Sequence, residues 1–296
     1  MTGILLIDKP VGPTSHDVVA RIRRVTGERR IDHTGTLDPR ASGLLPLVTG
    51  RATRLASLFS GRDKTYLATI RLGFFTSTDD ADGAPTSAAV DALPGDDAIA
   101  AALEAFRGTF SQTPPAHSAK KIDGQRAYDL ARRAQPVELA PVTVTVHELQ
   151  WRNRTVDRLD LELTVSAGFY VRGLARDLGL ALGCGAHLAE LRRTRSGSLD
   201  LAGAVSLADA ERLGPDLQDR VIAPAAALAY LPAATVTPAG LQRVQHGNSI
   251  GPEYLISGGL AALVGTSPIR VLAEAGDLVA IAECRNGALH PVTVLG

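Results

Sequence analysis

The chain opens on a short apolar run, residues 3–7, that reads as a buried strand. Lys9-Pro10-Val11-Gly12-Pro13 follows as a turn. Thr14 or Ser15 suits a helix N-cap, with Asp17 near the positive end of the helix dipole. Val18, Val19, Ile22 and Val25 then recur at helical spacing, Arg21, Arg23 and Arg24 face outward, and Gly27 stops the helix. Residues 51–59 read as a second short helix. Residues 64–72 alternate, with Tyr66, Ala68, Ile70 and Leu72 on one side of a strand. The acidic, small and turn-rich stretch 76–95 reads as a surface loop, and 96–106 as a helix burying Ile99, Leu103 and Phe106. Pro114-Pro115 breaks the chain before a basic helix over 125–134. Val142, Val144 and Val146 alternate with threonines in a strand that 159–165 can neighbour, and 170–182 forms a helix carrying Leu174, Leu178 and Leu182. Ser206 caps a short helix that ends at Leu213. The Ala- and Pro-rich stretch 224–238 reads as a linker, and the short apolar runs beyond it predict a small β-barrel or sandwich.

Size and composition narrow the class. With 296 residues and 45% hydrophobic positions, the chain can build one large or two modest cores. No apolar run approaches the roughly 20 residues that span a bilayer, and residues 1–10 lack the pattern of a signal peptide. A cytoplasmic protein is expected. The two cysteines, Cys184 and Cys284, stand far apart, as free thiols do. Net charge is zero, but it is segregated: ten basic residues face four acidic ones over 20–64, whereas 77–106 holds seven acids and no base. Such segregation can create a positive face that attracts phosphates, or it can be a set of ordinary solvated helix faces. The phosphate-loop, dinucleotide, zinc-protease and nucleophile-elbow patterns are all missing, and the seven histidines form no ligand-spaced cluster. No metal and no nucleotide cofactor is therefore expected.

What remains is a lone acid among arginines. His33-Thr34-Gly35-Thr36-Leu37-Asp38-Pro39-Arg40-Ala41-Ser42-Gly43-Leu44-Leu45-Pro46 sets Asp38 in a Gly- and Pro-bounded turn. Arg21, Arg23, Arg24, Arg29 and Arg30 precede it. An ionised carboxylate serving a polyanion is one reading of this segment; an Asp-Pro turn residue is the other.

Six ordered motifs decide between them, because together they resemble the bacterial tRNA pseudouridine(55) synthases of the TruB type. They are Gly3-Ile4-Leu5-Leu6-Ile7-Asp8-Lys9-Pro10 with Gly12, Thr14 and Ser15; the 33–43 segment; Asp63-Lys64-Thr65-Tyr66; Pro114-Pro115-Ala116-His117-Ser118-Ala119-Lys120-Lys121 with Gly124, Tyr128 and Ala131-Arg132; Gly168-Phe169-Tyr170-Val171-Arg172 with Asp177-Leu178-Gly179; and Gly183-Cys184-Gly185-Ala186-His187 with Leu191-Arg192-Arg193. The resemblance spans most of residues 1–220. Three positions depart from it: Asp32 replaces a Gly, His117 a Tyr, and Thr76-Ser77-Thr78 a Thr-Asp-Thr.

The resemblance implies an α+β pseudouridine synthase fold over 1–231, a mostly antiparallel mixed sheet flanked by helices, with an RNA-gripping insertion at about 112–142. A small PUA-like β-barrel for RNA binding is implied over 232–296. The implied reaction breaks the C1′–N1 bond of one uridine in the tRNA T arm and rejoins the base through C5, which calls for no cofactor. Asp38 is implied as the essential carboxylate, attacking the sugar, attacking the base or helping remove a sugar proton on the way to a glycal, and Arg172 as the partner that lowers its pKa and fixes its direction. Tyr66 would stack on the target base and could move a sugar proton, Tyr170 and Leu191 would wall the pocket, and His33 would help displace the nucleotide. Lys9, Lys64, Lys120, Lys121, Arg192 and Arg193 are the expected RNA contacts. The partner is tRNA, with no membrane and no obligatory protein partner, and a monomer suffices. An RNA chaperone and a guide-RNA-dependent synthase are the competing readings.

Overall fold

The fold was analysed in a computed structural model that describes residues 1–115, 121–122, 125–126, 139–263 and 265–295. The helices and strands start where the sequence supplies caps and apolar rows. β1 (Gly3–Lys9) leads into α1 (Ser15–Thr26), whose N-cap Thr14 and Asp17 exchange hydrogen bonds in a capping box and whose C-cap Gly27 is left-handed. β2 (Ile31–His33) and β3 (Ala41–Thr49) flank the Asp38 segment. A 3-10 turn and α2 (Ala56–Ser60) precede β4 (Lys64–Leu72); α3 (Asp96–Glu104) and β5 (Gly108–Gln112) follow. β6 (Lys121–Ile122) and β7 (Gln125–Arg126) pair with each other in a two-stranded sheet, so residues 125–126 are strand where a helix was expected. The rest of that expected helix, His117 and Lys120 lie outside the described residues. β8 (Val142–Arg154), β9 (Arg158–Val165), α4 (Val171–Leu182), β10 (Ala186–Ser196), β11 (Leu199–Asp200), β12 (Val205–Ser206) and α5 (Leu207–Leu213) complete this part.

The main sheet runs β12-β1-β3-β10-β4-β9-β8-β5, with β2 added to β3 and β11 to β10. Its pairs are antiparallel except β1 with β12 and β3 with β10. Leu5, Ile7, Leu45 and Leu47 join α1, α3 and α4 in one apolar cluster; Ile4, Leu6, Leu44 and Val48 join a second on the opposite face. β1 and β3 are thus buried on both faces, which is why β1 reads as a continuous apolar run rather than an alternating one.

The presumed linker 224–238 is structured. It forms α6 (Pro224–Ala227), β13 (Ala233–Val236) and the first residue of α7 (Pro238–Gln245), and Ala227, Leu228, Ala234 and Val236 are buried. The Arg270 guanidinium donates to the carbonyls of Ala225, Ala229 and Leu231, which fixes it further. β13 belongs to a second sheet, ordered β14 (Leu255–Ser257), β13, β15 (Ile269–Leu272), β16 (Leu278–Arg285), β17 (Ala288–Val294). Leu278, Ile281 and Leu295 share the second cluster with β1 and β3.

Candidate active site

Asp38 sits on the segment that joins β2 to β3, and that segment is bolted to the start of α1. Because Thr14 and Asp17 cap the helix, the buried Ser15 hydroxyl is free to accept from the Leu37 amide at 2.8 Å and to donate to the Leu37 carbonyl at 3.0 Å. Gly12 N–H donates to the Pro39 carbonyl at 2.8 Å, and Ala41 N–H closes the turn on the Asp38 carbonyl at 3.0 Å. The turn geometry of an Asp-Pro step and a presented carboxylate therefore coexist.

The carboxylate meets Arg172 Nε at 3.1 Å. Arg172 is the second residue of α4 and only 7% exposed. The helix start is held by the buried Gln112, whose amide donates to the Tyr170 carbonyl at 3.0 Å and accepts from the Tyr170 N–H at 2.9 Å. The other edge of the guanidinium donates to the Thr78 carbonyl at 3.2 Å and faces the Asp80 carboxylate at 3.6 Å. Asp80 is itself oriented by the Thr78 hydroxyl at 2.5 Å and the Asp82 N–H at 3.0 Å. The stretch 76–82 is thus not a free surface loop: Thr76 and Asp80 are buried, and Asp79 and Ala81 hydrogen-bond Leu188 of β10. Burial raises the Asp38 pKa above the ordinary carboxylate value, with Asp80 and Asp82 adding to the rise while Arg172 and Lys9 oppose it. Arg172 does pull the Asp38 pKa down, as expected of it, but desolvation outweighs the ion pair and the net direction is upward.

Beside this pair opens a cavity of about 270 Å³, near the lower end of the ~300–1,000 Å³ range of small-molecule sites. Asp38, Arg172, Tyr66, Tyr170 and Leu191 all line it, as do Phe169, Lys64, Arg193 and the backbone of 34–37. The sheet makes room for it. β3 pairs with β10 over Ala41, Ser42 and Gly43 and with β2 over Leu47, Val48 and Thr49, so the edge between these stretches has no strand partner among the described residues. Arg193 repairs the gap, donating from Nε to the Leu44 carbonyl at 2.8 Å and from a terminal nitrogen to the Gly35 carbonyl at 3.0 Å. Gly43 is obligatory at the crossing, since its φ is +98° and a Cβ there would stand 2.3 Å from the Arg193 carbonyl oxygen.

Three cations expected to meet RNA phosphates are therefore not on the surface. Lys9 is 0% and Arg193 1% exposed, and the ammonium of the buried Lys64 donates to the Ser60 and Arg62 carbonyls. Their chains are drawn in by backbone carbonyls of turns, of the end of α2 and, for Arg193, of β3. Burial first, then the Arg193 charge, lowers Lys64 to about 8; burial also lowers Lys9 to about 8, against the pull of Asp38. Arg192 is half-buried and paired with Asp8 at 2.8 Å. Lys121 lies on β6. His33 lies on β2 opposite Leu47, and it is Thr34, one residue on, that lines the cavity. Phe169, Gln112, Asp79, Asp80 and Arg176 were not anticipated. The only available signal for the acids was their density in 79–82, which polarity made read as a solvated loop. Among the described residues, no group of three His, Cys, Asp or Glu could hold a metal ion, and no helix is long and apolar enough to cross a membrane.

The same fold occurs in the crystal structure of a Cbf5-Nop10-Gar1 complex, which aligns with all of this chain and 85% of that one at TM-score 0.75 and 25% identity. A structure of an H/ACA RNP bound to a substrate RNA containing 2′-deoxyuridine aligns over the same shares at TM-score 0.74 and 24% identity. Fold and site together define a pseudouridine synthase. The family description "TruB family pseudouridylate synthase (N terminal domain)" matches residues 23–171, and "tRNA pseudouridylate synthase B C-terminal domain" matches 172–228. Proteins called tRNA pseudouridine synthase B from Solibacter usitatus (strain Ellin6076) and Thermobifida fusca (strain YX) are each 41% identical to it, over 100% of both chains and over 99% and 98% respectively. The chain belongs to the TruB family.

Proposed function

We propose that this protein isomerises uridine 55 in the T arm of tRNA to pseudouridine. The observation that carries the reading is the Asp38–Arg172 pair at the wall of a cavity large enough for one extruded nucleoside. The names of its relatives support tRNA as the substrate class. A uridine folded within the loop must leave its stack, which costs a few kcal/mol, before an acid on the sheet can reach it. Tyr66 and Tyr170 offer aromatic faces on which the flipped base stacks, and Leu191 closes the remaining wall. His33, next to the cavity-lining Thr34, helps displace the base from its stack.

The exchange breaks C1′–N1 and forms C1′–C5, so N1 gains a proton and C5 loses one. Asp38 acts as the anion in this exchange, and Arg172 fixes the direction of its oxygens through a charge-assisted hydrogen bond. Lys64 and Arg193, which line the cavity, keep it cationic toward a nucleotide's phosphate, Lys9 adds its charge from beneath the Asp38 segment, and Arg192, Lys120 and Lys121 contact the RNA backbone. Residues 1–231 form the catalytic unit and 232–296 a PUA-like RNA-binding unit. The protein acts as a monomer in the cytoplasm without an obligatory protein partner, a reading that the completeness of the cavity within one chain supports.

The test is a T-arm stem-loop carrying tritium at uridine C5. Wild type releases the tritium; Asp38→Asn binds the stem-loop and releases none. Binding by the wild type without release would replace this reading with that of an RNA chaperone.

A further inference from the structure

Outside the atoms that face the cavity, α4 carries a second arginine that the reaction leaves without a role. Arg176 stands one turn beyond Arg172, on the same helix face. Its guanidinium bridges three acceptors: Asp79 Oδ2 at 3.2 Å, Asp177 Oδ1 at 2.9 Å and the Thr113 carbonyl at 3.1 Å. Asp79 is mostly buried and has a φ of +61°, a left-handed conformation uncommon outside glycine but one that Asp tolerates well. On its other side the same loop is pinned to β10, where Leu188 N–H donates to the Asp79 carbonyl and Ala81 N–H to the Leu188 carbonyl, both at 3.0 Å. Thr78 and Asp80, the neighbours of Asp79, are the two groups that hold the far edge of Arg172. The fork of Arg176 thus reaches the loop that aims Arg172 and the residue after Gln112, which clamps the start of α4.

We propose that Arg176 and Asp79 are positioning residues: their ion pair fixes the 78–80 backbone, which turns Arg172 so that its Nε edge remains on Asp38. The inference rests on the reading that Asp38 and Arg172 carry the isomerisation. A carboxylate at position 79 is needed because an anion gives the half-buried guanidinium its charge-assisted bond to the loop, and a fork is needed because three acceptors lie in different directions.

Tritium release from the stem-loop is measured under steady-state and single-turnover conditions for Arg176→Gln, Arg176→Lys, Asp79→Asn and the double variant Asp79→Asn/Arg176→Gln. The misplaced Arg172 lowers kcat roughly 10- to 100-fold in Arg176→Gln and in Asp79→Asn, with KM within about twofold of wild type. The double variant loses no more than either single one, because both remove the same contact. Arg176→Lys recovers part of kcat, and the acid limb of the pH profile moves to higher pH in each impaired variant, as Asp38 loses part of its cationic partner. Wild-type kcat, losses that multiply in the double variant, or an acid limb that stays in place would each overturn the positioning role. Should Arg176→Gln fail to fold, Asp79→Asn decides, since it keeps the volume of the side chain. Asp38→Asn, run in parallel, separates the two levels. Its continued release of tritium sinks the reading of Asp38, whereas its silence beside a fully active Asp79→Asn and Arg176→Gln sinks the positioning role alone.

Discussion

Lys9→Met measures what it costs to keep a buried charge beside the Asp38 segment. Lys9 has no exposed surface, and its ammonium donates to the Pro10 carbonyl at 2.9 Å and reaches the Pro39 carbonyl at 3.5 Å. Its pKa is lowered from 10.5 to about 8. Holding it protonated at neutral pH therefore costs the fold about 3 kcal/mol relative to the unfolded chain. Methionine keeps most of the stem's packing and gives up about 2 kcal/mol of charge-assisted hydrogen bonding. The variant is expected to gain about 1 kcal/mol at pH 7, a rise in Tm of about 2–4 °C. The sign of the pH dependence follows from the direction of the shift. Between pH 8 and 10.5 the unfolded chain retains a proton that folded Lys9 has released, so wild-type stability climbs with pH in that window. The climb reaches about 1.4 kcal/mol per pH unit for each such lysine. Lys64, also at about 8, adds an equal share, so the variant should show about half the wild-type slope from these two groups. Urea unfolding followed by the fluorescence of Trp151, the single tryptophan, at pH 7, 8.5 and 9.5 reads both quantities. A variant less stable than wild type at pH 7, or one with the wild-type slope, refutes the reasoning. The gain has a functional cost: Lys9 is one of two cations that restrain the pKa of Asp38, so activity should fail at a higher pH on the acid side.

Two further substitutions probe the same design. Arg172→Lys keeps a charge but cannot serve Asp38 and the Thr78 carbonyl from two edges at once, so kcat should fall roughly 100-fold and the acid limb of a kcat/KM profile should shift upward; an unmoved limb would mean that Arg172 does not set the ionisation of Asp38. Gly43→Ala forces a Cβ against the Arg193 backbone at a positive φ and should cost more than about 3 kcal/mol, seen as a collapse of Tm or of soluble yield, whereas a loss near zero would mean that β3 and β10 cross less closely than described.

How much of this was legible depended on what each residue's neighbours do. α1, α3, α4 and β4 were readable because one face of each meets water, so the burial period appears in the sequence. β3 was not, because both its faces are covered and it holds Gly43 and Pro46, residues that argue against a central strand. β10 was hidden for another reason: Glu190, Arg192, Arg193 and Arg195 look like surface, yet Arg193 is buried by carbonyls that only the tertiary pairing exposes. Asp38, Arg172, Tyr66, Tyr170 and Leu191 were named because ordered motifs resembled a family, and the fold brings all five to one cavity. Asp79 and Asp80 escaped notice because an acidic stretch carries no local sign of arginines that arrive from roughly ninety residues away.

The break in pairing along β3 connects these observations. A ladder that ran unbroken from β10 across β3 would leave no space beside the Asp38 segment and no acceptor for Arg193. Interrupting it between Gly43 and Leu47 exposes backbone carbonyls inside the protein, and such acceptors must find donors. Pro46 brings no N–H of its own to that stretch, and its carbonyl accepts from Thr34 N–H at 3.1 Å. The Leu44 and Gly35 carbonyls take the Arg193 guanidinium. Among side chains only arginine carries a fork of donors long enough to serve both carbonyls at once, so closing the gap from β10 in this way places a permanent charge in the interior. That charge, with Lys64 drawn to the Ser60 and Arg62 carbonyls, gives the cavity cations that do not depend on surface residues. The repair of the sheet and the electrostatics of the cavity are therefore one feature, which explains why residues resembling phosphate contacts in the sequence are buried in the fold.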